Sequence, residues 1–180
     1  MLRMMSLEQI SAFYDRFTDR VKQTEKGKEM GERIAQLKRL APGSPAPEFE
    51  LTTPDGKKLA LKDLRGHIVL IDFWASWCGP CMDEMPNVKA IYEKYHDRGL
   101  EIVGVSMDNN KANWERAIER AALVWHHVSS LKGMNRCSVA KLYQVVAIPK
   151  LYIIGKDGKI IAKDLRGEEL REKIDELFEE

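Results

Sequence analysis

The chain has 180 residues, 44 % of them hydrophobic and 32 % charged, and 29 Lys and Arg balance 28 Asp and Glu to a formal charge of +1. That composition is ordinary for a globular domain, and the charge balance gives no reason to invoke nucleic acid or an anionic membrane as a partner. Three cysteines are too few for a disulfide framework or for the paired ligand sets of a structural zinc site. His67, His96, His126 and His127 do not stand at ligand spacing from them, so no metal is expected.

No apolar run approaches the roughly 20 residues that span a bilayer. The opening Met1-Leu2-Arg3-Met4-Met5-Ser6 lacks the apolar stretch of a signal peptide. The protein is therefore expected to be cytosolic, or else this sequence is a mature or truncated form.

Residues 6 to about 40 read as helix. Leu7, Ile10, Phe13, Phe17 and Val21 recur at spacings of three and four, Ser6 and Gln9 have capping-box spacing, and Met30, Ile34 and Leu37 form a second stripe beyond Gly27 and Gly31. Such stripes are expected to pack as core, with the two glycines loosening the chain between them. The run from Ala41 to Pro47 contains three prolines, which forbid regular helix. A boundary is placed there, with a helical extension at 1–41 and the main domain at 42–180.

The main domain opens with a hairpin, Phe49-Glu50-Leu51 and Lys57 to Leu61 around the turn Pro54-Asp55-Gly56. Ile68 to Trp74 is a continuous apolar run of the kind found in buried central strands. Helical spacing follows from Cys81 to Tyr95. A second buried strand is expected at Leu100 to Met107, a helix at Ala112 to Ala122, a short strand at Leu123 to Val128 and a helix at Val139 to Tyr143. Leu151 to Ile154 and Lys159 to Ala162 flank Asp157-Gly158, a hairpin turn, and Glu168 to Glu180 closes the chain as a helix. The order predicts an α/β fold whose sheet is parallel in its centre and antiparallel at the last hairpin.

Cys78 and Cys81 carry the chemistry. Cys78 follows a buried strand and opens a helix, where unpaired N–H groups and the helix dipole favour a thiolate and so lower its pKa. Cys81 lies one turn on, placed to resolve a mixed disulfide formed at Cys78. Pro80 stiffens this turn at a position where the helix needs no N–H, and Gly79 lets a substrate backbone approach. Half a zinc site and two inert thiols are the bland alternatives, and a C-x-x-C beside a βαβ pattern favours redox chemistry. Asp72 interrupts the apolar strand. A carboxyl buried there has a raised pKa and could accept the Cys81 proton, through water, during resolution. Glu84, one turn past Cys81, is a second candidate acceptor, although a glutamate at such a helix position is usually solvated. Trp77 offers a flat apolar patch for a partner, whereas Trp74 reads as core.

Val69 to Cys81, including Trp77-Cys78-Gly79-Pro80-Cys81, resembles thioredoxin across strand, active site and helix start. Pro86 stands where thioredoxins kink this helix. Ile148-Pro149 is similar to their cis-proline loop, which implies that the backbone of Ile148 is exposed for β-type pairing with a client peptide. The hairpin Phe49 to Leu61, the phrase Leu61-Lys62-Asp63-Leu64-Arg65-Gly66, the insertion Ala112 to Val128 and the run Val139 to Val145 resemble the TlpA/ResA type over about residues 45 to 180. That resemblance implies a thiol–disulfide oxidoreductase of the bacterial cell envelope or periplasm. It would have no cofactor beyond its own disulfide, would act on protein disulfides and thiols, and would be re-reduced by a membrane or soluble thiol donor. The Gly-Pro dipeptide implies a reductant. Three positions depart from the pattern: Lys150 replaces the usual threonine after the proline, Gly104 stands where thioredoxin has a lysine, and Asp72 is more thioredoxin-like than is typical of the TlpA/ResA type. Cys137 has no counterpart and is expected to be a lone loop thiol. A peroxiredoxin-like peroxidase, which shares the Gly-x-x-Ala-Pro-x-Phe opening at Gly43 to Phe49, and a non-catalytic peptide-binding module are the alternatives.

Overall fold

The computed structural model describes residues 6–179; the opening Met1 to Met5 and the terminal Glu180 of the expected closing helix lie outside the described residues. The first strands, β1 (Glu50–Thr52) and β2 (Lys58–Ala60), form the predicted hairpin. They are followed by β3 (Ile68–Trp74), β4 (Leu100–Ser106), β5 (His126–Ser129), β6 (Lys150–Ile154) and β7 (Ile160–Lys163). These strands make one sheet in the order β2-β1-β5-β4-β3-β6-β7. β3, β4 and β5 run parallel, β6 pairs antiparallel with β3, and β7 pairs antiparallel with β6. Every residue of β3 is buried, which is why its sequence is continuously apolar instead of alternating.

Helices α4 (Gly79–Tyr95), α5 (Lys111–Arg120), α6 (Ser138–Leu142) and α7 (Gly167–Glu179) complete the main domain. One strand boundary differs markedly from expectation. β5 begins at His126, not Leu123, because Ala122 takes a positive φ of 49° and the Leu123 N–H bonds back to the Ile118 carbonyl. Leu123 to Trp125 therefore still belong to the helix stop, although Leu123 and Trp125 are buried in the core. Cys137 is the expected lone thiol, in the link ahead of α6. It is free but buried at the start of α6, packed in the core beside Val139 and Ala140, which disfavours an intermolecular bond.

The N-terminal extension is three helices, α1 (Leu7–Asp15), α2 (Asp19–Lys22) and α3 (Glu25–Arg39), instead of two stripes. Ser6 and Gln9 form the predicted capping box. Thr18 and Thr24 break the helix by adopting extended N-cap geometry, and each new start resets the phase of the apolar face. Phe13 and Val21 are consequently exposed, and only Ile34 of the two stripes is buried. Gly27 and Gly31 do not loosen the chain. Both lie within α3, where a Cβ would fall 2.1 Å from the Val21 carbonyl oxygen or 2.4 Å from the Tyr14 hydroxyl, so they let α3 cross its neighbours closely. Leu40 anchors the end of this extension in the main core.

Candidate active site

β3 ends at Trp74, and the loop Ala75 to Trp77 delivers Cys78 to the N-cap of α4. Cys78 and Cys81 are joined by a disulfide of 2.00 Å. The Cys81 N–H donates to Cys78 Sγ at 3.3 Å, the helix-start donor expected from the spacing. Cys78 keeps 5 % exposure against 1 % for Cys81, so the first sulfur belongs to the more accessible residue. Gly79 and Pro80 form the first turn of α4, and Pro86 lies inside it. Trp77 is 61 % exposed and Trp74 is fully buried.

The approach loop is held by a residue that sequence reasoning missed. Buried Asp108 accepts from the Ser76 N–H at 3.0 Å, the Ser76 hydroxyl at 2.6 Å and the Ser106 hydroxyl at 2.7 Å. A carboxylate accepting several hydrogen bonds fixes its donors strongly. A polar run, Ser106 to Asn110, at the end of an apolar strand was the available signal.

The peptide bond Ile148–Pro149 is cis. β6 lies beside β3 with Phe73 opposite Lys150, so Pro149 is level with the end of β3 from which the cysteine loop departs. Arg166, also missed, donates to the Pro149 carbonyl at 2.7 Å. Lys150 pairs with Asp164 at 2.6 Å, which explains a cation at this unusual position. Glu84 faces the same junction and is not simply solvated. Its Oε1 accepts from the Gly167 N–H at 2.8 Å and from Asn87 at 2.7 Å, tying α4 to the start of α7.

Asp72 is buried on β3 between Gly104 and Leu151 and makes no hydrogen bond to either cysteine among the described residues. Burial raises its pKa to about 7; the charge of Glu84 pushes the same way and Arg166 opposes it. The glycine opposite it is required by space. A Cβ on Gly104 would lie 2.7 Å from His127 Nδ1 and 2.9 Å from Trp74 Nε1, both on buried rings. Gly104→Ala is expected to cost about 1–3 kcal/mol, the usual range for overpacking. Urea unfolding at pH 7 measures it, and an unchanged midpoint contradicts this packing.

The profile of the AhpC/TSA family matches residues 42–163. Curated relatives described as thiol–disulfide oxidoreductase ResA include proteins from Bacillus thuringiensis subsp. konkukian, 35 % identical over 136 residues and 76 % of each chain, and from Geobacillus thermodenitrificans, 34 % identical over 140 residues and 78 % of each chain. Among solved structures, the thioredoxin domain of a thiol–disulfide oxidoreductase from Bacteroides vulgatus aligns with a TM-score of 0.72 at 34 % identity, covering 77 % of this chain and 99 % of that one. A thiol–disulfide oxidoreductase from Bacteroides fragilis aligns at 0.70 and 32 %, covering 74 % and 99 %. The chain belongs to the AhpC/TSA family. Within the AhpC/TSA family it is a thiol–disulfide oxidoreductase of thioredoxin fold: its relatives carry that activity, and its own C-x-x-C is closed as a disulfide.

Proposed function

We propose that the chain reduces disulfides of extracytoplasmic bacterial proteins, with Cys78 as nucleophile and Cys81 as resolving thiol. The observation that carries this order is the Cys81 N–H donating to Cys78 Sγ at the mouth of α4, a donor equally suited to a Cys78 thiolate. The Cys78 thiolate attacks one sulfur of a client disulfide. That bond breaks, the other client sulfur leaves as thiolate and takes a proton from solvent, and a Cys78–client disulfide forms. Cys81 then gives its proton, through water, to Asp72 and attacks Cys78 Sγ. The mixed disulfide breaks, the second client thiolate departs, and the Cys78–Cys81 disulfide holds the two-electron oxidation. A thiol donor reverses it. No metal or cofactor enters either step.

Pro149 and Ile148 form the client-binding edge in this scheme; the cis bond at the level of the cysteine loop supports that assignment. Glu84 supports the site by tying α4 to α7 and by acting electrostatically on Asp72. The domain division at residues 41 and 42 is supported by the proline cluster and by the start of the family match at residue 42. The envelope or periplasmic location is this same reading's, and the TlpA/ResA resemblance supports it.

The test is a glutathione redox titration coupled to insulin reduction. The expected potential lies nearer thioredoxin, about −270 mV, than a strong oxidant at about −120 mV. Full reduction of the chain at mild glutathione poise, or insulin reduction no faster than by free dithiol, would sink the reductant reading.

A further inference from the structure

Two grooves border the loop that carries the exposed Trp77. One, of about 770 Å³, runs from Ser76 and Met82 to α5, where Arg116 and Arg120 line it. The other, of about 400 Å³, lies against Trp77 itself and is lined by Met107, Met134, Lys132 and Arg136. Between them the two linings carry four cations against one carboxylate, Glu119. Among the described residues Arg116, Arg120, Lys132 and Arg136 hold no carboxylate within 4.0 Å. Arg116 is occupied only by neutral acceptors, the Asn113 side chain at 2.6 Å and the Ala112 carbonyl at 3.2 Å. The opposing charges are few. Glu119 lines the first groove and Asp83 is exposed on α4, while Glu115 is already paired with Lys111.

The chain as a whole is nearly neutral, at +1, so four cations against one carboxylate along the grooves beside one exposed tryptophan are a local surplus. Unpaired surface cations raise the encounter rate and set the register for a partner of opposite sign more than they add affinity. The methionines on the groove floors supply adaptable apolar contact once charge has aligned the partner.

We propose that this face docks an acidic, extended segment of the client protein, with carboxylates on both sides of the client disulfide meeting Arg116 and Arg120 on one flank and Lys132 and Arg136 on the other. The assignment rests on the oxidoreductase reading above and adds the class of substrate: disulfides embedded in acidic sequence.

Three synthetic peptides with one identical intramolecular disulfide test it, flanked by Glu and Asp, by Ser and Gly, or by Lys. With the pre-reduced full chain at about 20 mM salt, kcat/KM for the acidic peptide is expected to exceed that for the neutral peptide at least tenfold, within the about 10–10³ range of electrostatic steering. The preference should fall to within twofold at about 500 mM salt, where the Debye length is only a few Å. Arg120→Gln combined with Lys132→Gln and Arg136→Gln is expected to lower the acidic-to-neutral ratio at least fivefold. Because this is a ratio within one enzyme, it is insensitive to partial unfolding. Equal rates for all three peptides, or a ratio that neither salt nor the substitutions change, overturns the proposal. If no peptide disulfide is reduced, the oxidoreductase reading fails. The docking claim is then decided by anisotropy of a labelled, cysteine-free acidic peptide, which must bind more tightly than its neutral counterpart. Sedimentation of the chain with vesicles of 30 % anionic lipid, in the absence of any peptide preference, assigns the surface to a membrane and also overturns it.

Discussion

A chain carrying Cys78→Ser is expected to reduce no protein disulfide, with a loss of at least about a thousandfold, or about 4 kcal/mol of barrier at 1.36 kcal/mol per decade. A serine hydroxyl is not ionised near neutral pH, so the Cys81 N–H that meets Sγ in the wild type finds no thiolate to stabilise. Cys81→Ser should behave differently. The first attack proceeds, resolution does not, and the chain accumulates as a covalent Cys78–client adduct that migrates as one band without reductant and separates with it. The asymmetry is the content of the prediction. It follows from the position of Cys78 at the N-cap and of Cys81 inside the first turn, and from the greater exposure of Cys78. Mass spectrometry of the trapped adduct identifies the bonded residue. Trapping by Cys78→Ser in place of Cys81→Ser would reverse the assignment of nucleophile and resolver.

The order of strands and helices in the main domain was legible because period and composition act locally there. Ile68 to Trp74 could be read as a central strand since burial on both faces demands an unbroken apolar run. Cys78, Gly79, Pro80 and Cys81 could be read because helix-start chemistry is written in four consecutive residues. The extension was misread for the converse reason. Two threonines, Thr18 and Thr24, are weak breakers by composition, yet each takes an extended N-cap conformation and rotates the next apolar face away from the last. The glycines of α3 are helix-crossing contacts, which depend on Val21 and Tyr14 arriving from another element. Asp108 and Arg166 were illegible alone because their roles lie in acceptors and donors distant along the chain, Ser76 and Pro149. Glu84 was half legible. Its spacing from Cys81 placed it near the site, but only the approach of α7 shows that it caps the Gly167 N–H.

Asp72→Asn is expected to separate two effects that the carboxyl combines. The first is on stability. In the folded, disulfide-bonded chain Asp72 holds its proton until about pH 7, whereas the unfolded chain loses it near 3.8. Between those values the folded state binds more protons than the unfolded one, so this group's contribution is most favourable below about pH 4. It declines as pH rises, and the loss is complete above pH 7. The slope approaches 1.36 kcal/mol per pH unit, and the whole change is about 4 kcal/mol. An amide of the same shape does not ionise. Urea melts with the disulfide intact should therefore show the variant more stable than wild type by about 2–4 kcal/mol at pH 8, with the difference closing toward pH 4. The second effect is on chemistry. Without an acceptor for the Cys81 proton, release of client thiol from the Cys78 mixed disulfide should slow by about 10²-fold, the lower end of general-base contributions. In the wild type that step should accelerate as pH rises through about 7, when Asp72 becomes able to take a proton, and the inflection should be missing from the variant. Stopped-flow release of a chromophoric thiol follows it directly. A variant that gains stability at pH 8 yet keeps both the rate and the inflection would leave Asp72 a buried carboxyl without a part in resolution. A variant with no gain in stability would mean that the folded protein ionises this carboxyl as readily as the unfolded chain does.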